Sequence, residues 1–154
     1  MYYSKENLPT EQSAEKLWLI SEHSYNHGSP WSEKQFRDDL AQKASDYLVL
    51  IQKGDWVGFV SYHLVLDEAE ITHVVIHKEF QQKGYGSQLI DRLIQRFFEQ
   101  GVCQAFLEVR ESNVKAQRLY EKKGFNTINR RKKYYSRPKE DGIVMCLNVK
   151  EVKQ

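Results

Sequence analysis

A glycine-bearing loop, a lone carboxylate and a tyrosine are the residues whose types and spacing speak most directly of chemistry. Gln81-Gln82-Lys83-Gly84-Tyr85-Gly86-Ser87 stands between a β-forming run ending near Ile76 and an amphipathic run beginning at Leu89. A strand that turns through glycines into a helix directs several unpaired backbone N–H groups at one spot. The helix N-terminus adds partial positive charge, so such a loop can hold a pyrophosphate. A bare β-to-α turn would use the same letters. Two phosphate motifs are excluded: a dinucleotide fingerprint needs glycine at position 89, which is Leu89, and a P-loop needs Gly-Lys-Ser/Thr, which is absent.

Glu108 is the one carboxylate inside Phe106-Leu107-Glu108-Val109. Alternation lets it point outward while Leu107 and Val109 point in; lining a cleft instead, it is a general-base candidate. Tyr120 follows twelve positions on, either as a core aromatic or as a hydroxyl available for proton transfer. The five histidines form no ligand spacing, and Cys103 and Cys146 read as buried free thiols with no metal or disulfide role. Arg130, Arg131, Lys132, Lys133, Arg137 and Lys139 crowd one segment around Tyr134-Tyr135, either as a solvated face or as a docking surface for an acidic or nucleic-acid-bearing partner.

The elements that must position these groups follow from period and punctuation. Thr10 can cap a helix over about 11–26, and Ser32 with Gln35 makes a capping box for a second helix carrying Phe36 and Leu40. Tyr47 to Gln52, the turn Lys53-Gly54-Asp55, Trp56 to Leu66, and Ala69 to Ile76 predict three antiparallel strands. Leu89, Ile90, Leu93, Ile94, Phe97 and Phe98 then form a helical stripe that Gly101 ends. A strand at Ala105 to Val109, a helix at Val114 to Lys123 and strands at Phe125 to Tyr135 and Ile143 to Val149 complete the chain. A short N-terminal strand fits as well. Antiparallel strands first and βαβ units later predict an α+β fold, a mixed sheet with helices on both faces.

Composition bounds the function. The 154 residues are 40% hydrophobic and 29% charged, enough for a single domain (1–154) with its own core. Lys+Arg 23 against Asp+Glu 21 leaves a formal charge of +2, which argues against bulk nucleic-acid binding. The N-terminus has no basic and apolar targeting pattern, and no 18 apolar residues run together, so the expectation is a cytoplasmic protein with no membrane partner.

Taken in order, Val74-Val75-Ile76, Gln81-x-x-Gly84-x-Gly86, Leu107-Glu108-Val109-Arg110-x-x-Asn113 and Leu119-Tyr120-x-x-x-Gly124-Phe125 resemble the GNAT superfamily of acetyl-CoA-dependent N-acetyltransferases. Ser29-Pro30-Trp31-Ser32, Leu66-Asp67-Glu68-Ala69, Tyr134-Tyr135 and Glu140-Asp141-Gly142-Ile143-Val144-Met145 resemble its bacterial ribosomal-protein-alanine N-acetyltransferases in particular. The sequence departs at His77-Lys78, where relatives carry Asp-Pro, and at Gly142, where they carry Ala.

The resemblance implies a mostly antiparallel sheet whose central strands splay. Acetyl-CoA would lie with its pyrophosphate on Gln82, Lys83, Gly84, Tyr85, Gly86 and Ser87, and its pantetheine along Val74, Val75 and Ile76. Asn113 would also touch the coenzyme, and a backbone N–H near Val75, freed by a bulge, would face the thioester carbonyl. Glu108 would be the general base and Tyr120 the general acid. Trp31, Tyr134 and Tyr135 would flank a peptide whose N-terminal Ala or Ser, on a ribosomal protein, accepts the acetyl group directly, with no metal and no catalytic cysteine. Two further readings stay open: acetylation of a lysine or small amine by the same fold, and a non-catalytic module that docks on the ribosome through its basic segment.

Overall fold

A computed structural model describes residues 1–9, 11–25, 28–136 and 138–152; the expected cap Thr10 and Arg137 of the basic run lie outside them. The strands are β1 (Tyr2–Ser4), β2 (Ser45–Gln52), β3 (Asp55–Val65), β4 (Glu68–Ile76), β5 (Gln104–Arg110), β6 (Asn126–Ser136) and β7 (Lys139–Asn148). The helices are α1 (Ser13–Ser24), α2 (Glu33–Leu40), α3 (Tyr85–Glu99) and α4 (Val114–Lys122). Among the described residues one sheet of seven strands runs β1-β2-β3-β4-β5-β7-β6, antiparallel except where β4 meets β5. The expected α+β class and element order hold, and the N-terminal strand forms.

Local chemistry explains the ends of these elements. Lys53 and Gly54 turn β2 into β3 with φ of 51° and 83°, the twist that suits a two-residue hairpin. Ser32 accepts a hydrogen bond from the Gln35 amide while the Gln35 side chain accepts one from the Ser32 amide, so the capping box starts α2. In α3, Leu89, Ile90, Leu93, Ile94 and Phe97 are buried, each contributing about 1.5–3 kcal/mol. Phe98, expected in that stripe, is 53% exposed. At about 100° per residue it falls roughly 110° from the stripe's centre, on the helix flank.

The two faces of the sheet are covered unequally. On one, α3 and α4 bury Leu89, Leu93, Phe97 and Tyr120 against Leu107, Val109, Ile143, Met145 and Leu147. On the other, α1 and α2 bury Leu17, Ile20 and Phe36 against Tyr47, Val49, Ile51, Phe59 and Val75, which belong to β2, β3 and β4. The half-buried residues Phe106, Glu108 and Arg110 alternate with Leu107 and Val109 along β5 and so face the α1/α2 side beyond those helices.

A bulge decides what β4 presents to each face. The β3–β4 register shifts between Tyr62↔Ile71 and Ser61↔His73, leaving Thr72 as the extra residue. Ala69 and Ile71 therefore pack under α3, whereas His73 and Val75 turn to the α1/α2 face.

Gly58 of β3 sits where a Cβ would lie 2.5 Å from the Val75 carbonyl oxygen, a backbone atom that cannot swing aside. Gly58→Ala is expected to destabilise the fold by about 2–3 kcal/mol, as overpacking does. A melting temperature equal to the parent's would contradict that close approach.

Candidate active site

The site begins where the sheet opens. β4 and β5 pair in parallel only at Glu68↔Gln104, Ala69↔Ala105 and Glu70↔Phe106; beyond these positions the two strands no longer pair. Residues 71–76 and 107–110 therefore line the two sides of a wedge. His77 donates its amide to the Val57 carbonyl at 2.7 Å, so the alternation of the antiparallel ladder assigns the Val75 amide to Phe59 and turns the Val74 and Ile76 amides away from β3, into the wedge. The expectation of a bulge that frees a backbone N–H near Val75 thereby gains its positions: the register shift lies at Thr72, and the amides turned away from β3 are those of Val74 and Ile76.

The glycine loop stands at the mouth of the wedge. Gly84 caps α3 with φ 84° and no side chain, and no acidic residue lies in the helix's first turn. The first helical bond runs from the Gln88 amide to the Gly84 carbonyl, so the amides of Gly84, Tyr85, Gly86 and Ser87 have no intrahelical partner. A Cβ at Gly84 would meet nothing within 4 Å, so it is the positive φ rather than crowding that favours glycine there. Gln82 also adopts positive φ (62°), and the Gln81 side chain donates to the Ile76 carbonyl at 3.0 Å, tying the loop to the end of β4. Lys83 lies 5.9 Å over the Phe80 ring. Asn113 caps α4 by accepting from the Ala116 amide at 3.2 Å. Its side chain thus serves the helix first, and its amide NH₂ is the group that a ligand could use.

Glu108 does point away from the α3/α4 core, as alternation allows, and outward here is the part of the sheet that α1 and α2 leave uncovered. Its Oε1 accepts a hydrogen bond from Arg131 at 2.9 Å. Tyr120 is 7% exposed, and burial pushes its hydroxyl up, so it keeps its proton at neutral pH. Its ring packs 5.7 Å from Phe125 under the sheet.

Tyr25, at the end of α1 on the opposite face, was not singled out by its sequence. Burial pushes its hydroxyl up first, and the nearby Tyr120 and Tyr135 hydroxyls push the same way. Side chains from opposite faces of a sheet come together here where β4 and β5 part.

Aromatic side chains flank the wedge. Trp31 packs edge-on to His73 at 4.5 Å and tilted on Phe36 at 5.3 Å. Across the wedge, the β6–β7 register shifts so that Lys132, Lys133 and Tyr134 oppose Asp141 alone. This irregularity overrides alternation, and the consecutive Tyr134 and Tyr135 rings meet edge to face at 5.2 Å beside Gly142. Burial pushes the Tyr135 hydroxyl up to about 12, with the Glu108 carboxylate adding to it. Glu140 accepts from the Ser112 amide at 2.9 Å and from Arg110 at 3.1 Å, which fastens the β6–β7 hairpin to the end of β5.

The basic run is partly internal structure. Arg130 bridges Glu111 and Asp141, and Arg131 reaches Glu108, while Lys132, Lys133 and Lys139 remain exposed. Cys103 and Cys146 are free and half-buried rather than buried, and burial pushes the Cys146 thiol up.

His73 belongs to no ligand spacing in the sequence, yet it is 2% exposed, and among the described residues its Nε2 has no hydrogen-bond partner. Thr72 donates its hydroxyl to the Ser61 carbonyl, so the Ser61 hydroxyl donates to Thr72 Oγ1 at 2.6 Å, and His73 Nδ1–H donates to Ser61 Oγ at 2.7 Å. Burial lowers the imidazole pKa to about 4. The unfolded chain takes up that proton near pH 6.5 and the folded chain does not, so this contribution to stability is complete above about pH 6.5 and declines as pH falls to about 4. The loss comes to about 3 kcal/mol at 1.36 kcal/mol per unit. The stability advantage of the parent over His73→Asn in urea titrations is expected to shrink by that amount between pH 7 and 4. A constant difference would contradict a neutral buried imidazole.

The chain is similar to known proteins over most of its length. The [ribosomal protein bS18]-alanine N-acetyltransferase of Escherichia coli K12 is 36% identical over 125 residues, covering 80% of this chain and 84% of that protein. The crystal structure of the ribosomal-protein-S18-alanine N-acetyltransferase from Escherichia coli superposes with a TM-score of 0.85 at 30% identity, over 97% of this chain and 94% of that one. A GNAT family acetyltransferase from Elizabethkingia anophelis with acetyl-CoA bound shares the fold at 16% identity, with a TM-score of 0.74 over 96% and 97% of the two chains. Residues 12–125 match the Acetyltransferase (GNAT) family, and with a wedge between β4 and β5 that opens beside the N-terminus of α3, the chain belongs to that family of acetyltransferases.

Proposed function

We propose that the protein transfers the acetyl group of acetyl-CoA directly to the N-terminal α-amine of a protein, an N-terminal Ala of a ribosomal protein being the best-supported acceptor. The observation that carries this reading is the wedge itself. It is open to the glycine-capped N-terminus of α3 at one end, bordered by Glu108 and Tyr120, and walled on the acceptor side by Trp31, Tyr134 and Tyr135. The likeness to the Escherichia coli enzyme over most of both chains supports the acceptor class.

Each residue's part follows from its position. The pyrophosphate rests on the backbone of Gln82 to Ser87, where Gly84 leaves room and the helix end favours an anion. The pantetheine arm runs along Val74 to Ile76 as an added strand, using the amides turned into the wedge, and one of these stabilises the oxyanion of the tetrahedral intermediate. Asn113 contacts the coenzyme through its amide. Glu108 takes the proton from the α-ammonium, directly or through one water. The amine nitrogen then bonds to the thioester carbon; as the carbonyl re-forms and the C–S bond breaks, Tyr120 gives its proton to the departing thiolate, and the second proton shed by the acylated nitrogen returns through water to the Tyr120 oxygen. An α-amine has a pKa of about 7.7–8.0, so deprotonating it at pH 7 costs roughly 1 kcal/mol, whereas a lysine at about 10.4 costs roughly 4.6. A single ion-paired carboxylate suits the first task better.

Calorimetric titration tests the donor half. Acetyl-CoA should bind with one site per chain and an affinity that falls with salt, as for an anion held by backbone dipoles and Lys83. Absence of binding would overturn the transferase reading and favour a docking module.

A further inference from the structure

The base assigned above is not a free carboxylate, and what holds it is ordered in an unusual way. Gly142 of β7 is paired on one side with Arg110 of β5 and on the other with Arg131 of β6. Over each guanidinium lies a tyrosine ring: Tyr135 at 4.2 Å from Arg110, Tyr134 at 4.5 Å from Arg131. A Cβ at position 142 would stand 3.3 Å from the Tyr134 ring and 3.4 Å from the Tyr135 ring, so glycine leaves the space in which the two stacks meet. Beyond its stack each arginine ends on a carboxylate, Arg110 on Glu140 and Arg131 on Glu108. The Arg131 fork reaches across β7 to do so, since Glu108 pairs with Val144 and Arg131 with Gly142.

We propose that Arg131 is a positioning residue for the acceptor-activating base: it fixes Glu108 by one oxygen and couples that carboxylate to the Tyr134 wall against which the acceptor lies. This inference rests on the N-acetyltransferase reading with Glu108 as base. Arg131 engages Oε1, and among the described residues no hydrogen bond is made to Oε2, which is left for the amine. A planar guanidinium held on one face by a tyrosine ring has few rotamers, so the carboxylate at its end is held as well. The ionisable groups facing Glu108 are Arg131 and the Tyr135 hydroxyl from β6 and Arg110 from its own strand.

A double-mutant cycle in steady-state kinetics with a free N-terminal Ala peptide tests the proposal. Arg131→Gln is expected to lower kcat about tenfold, within the usual coupling of contacting residues, with the KM for acetyl-CoA unchanged. Arg131→Lys, which keeps the charge and loses the fork, should recover part of that loss. In a Glu108→Gln background the same Arg131→Gln change should alter kcat by less than about twofold, because the group it positions is gone. Arg131 is half exposed in its side chain, so the melting temperature should not change, and a merely structural role would lower activity equally in both backgrounds. Equal losses, or an Arg131→Gln enzyme as fast as the parent, would overturn the proposal while leaving Glu108 in place. A full-rate Glu108→Gln enzyme would instead overturn the general-base reading, and the inference with it.

Discussion

Glu108→Gln should lower kcat by about 10² to 10⁴-fold with acetyl-CoA binding intact, the usual worth of a positioned base. The substitution is nearly isosteric, and the glutamine oxygen can still accept from Arg131, so the wedge and the β5–β7 pairing should survive. What is lost is a group that can carry the proton away. The deficit should shrink as pH rises past about 8, where the α-amine sheds its proton to solvent without help. That alkaline recovery separates loss of a base from loss of structure, since a distorted site would be impaired at every pH. Parent rates at pH 7 would remove Glu108 from the role.

Tyr120→Phe should cost less, about 10²-fold in kcat at most, at the low edge of general acid catalysis. The argument is one of leaving groups. A thiol's pKa near 8.5 makes its thiolate a tolerable leaving group even unprotonated, so a hydroxyl donor speeds the C–S cleavage without being indispensable. Burial holds the Tyr120 hydroxyl in its protonated form throughout the working range, so this contribution should be independent of pH below about 9. The ring remains to pack against Phe125, and stability should change little. A Tyr120→Phe enzyme with parent kcat would leave protonation of the thiolate to water.

Much of the frame was legible because it is local. The α3 stripe, the Ser32 capping box and the Lys53-Gly54 hairpin each depend on residues within a few positions of one another, and each formed where spacing placed it. What escaped depends on register between distant strands. The Thr72 bulge, which turns His73 and Val75 toward α1 and α2, exists only relative to β3. Tyr134 and Tyr135 share a face because three residues of β6 oppose one of β7, which alternation along β6 alone would deny. Alternation sets the direction of Glu108, but that its outward side lies beyond the helices follows from α1 and α2 packing on β2, β3 and β4. Tyr25 and Tyr120 pack on opposite faces of the sheet yet lie near enough for one hydroxyl to act on the other, a proximity that no spacing encodes. Phe98 and the two cysteines are apolar in character but exposed or half-buried in the fold, because burial depends on packing against distant elements as well as on residue type.

The most direct test of the central claim is thiol release from acetyl-CoA with three peptides: a free N-terminal Ala peptide, the same peptide blocked at its N-terminus and carrying an internal Lys, and an N-terminal Met peptide. Turnover with the Ala peptide alone is the predicted result. Turnover with the blocked Lys peptide would contradict N-terminal specificity and assign the wedge to a side-chain amine.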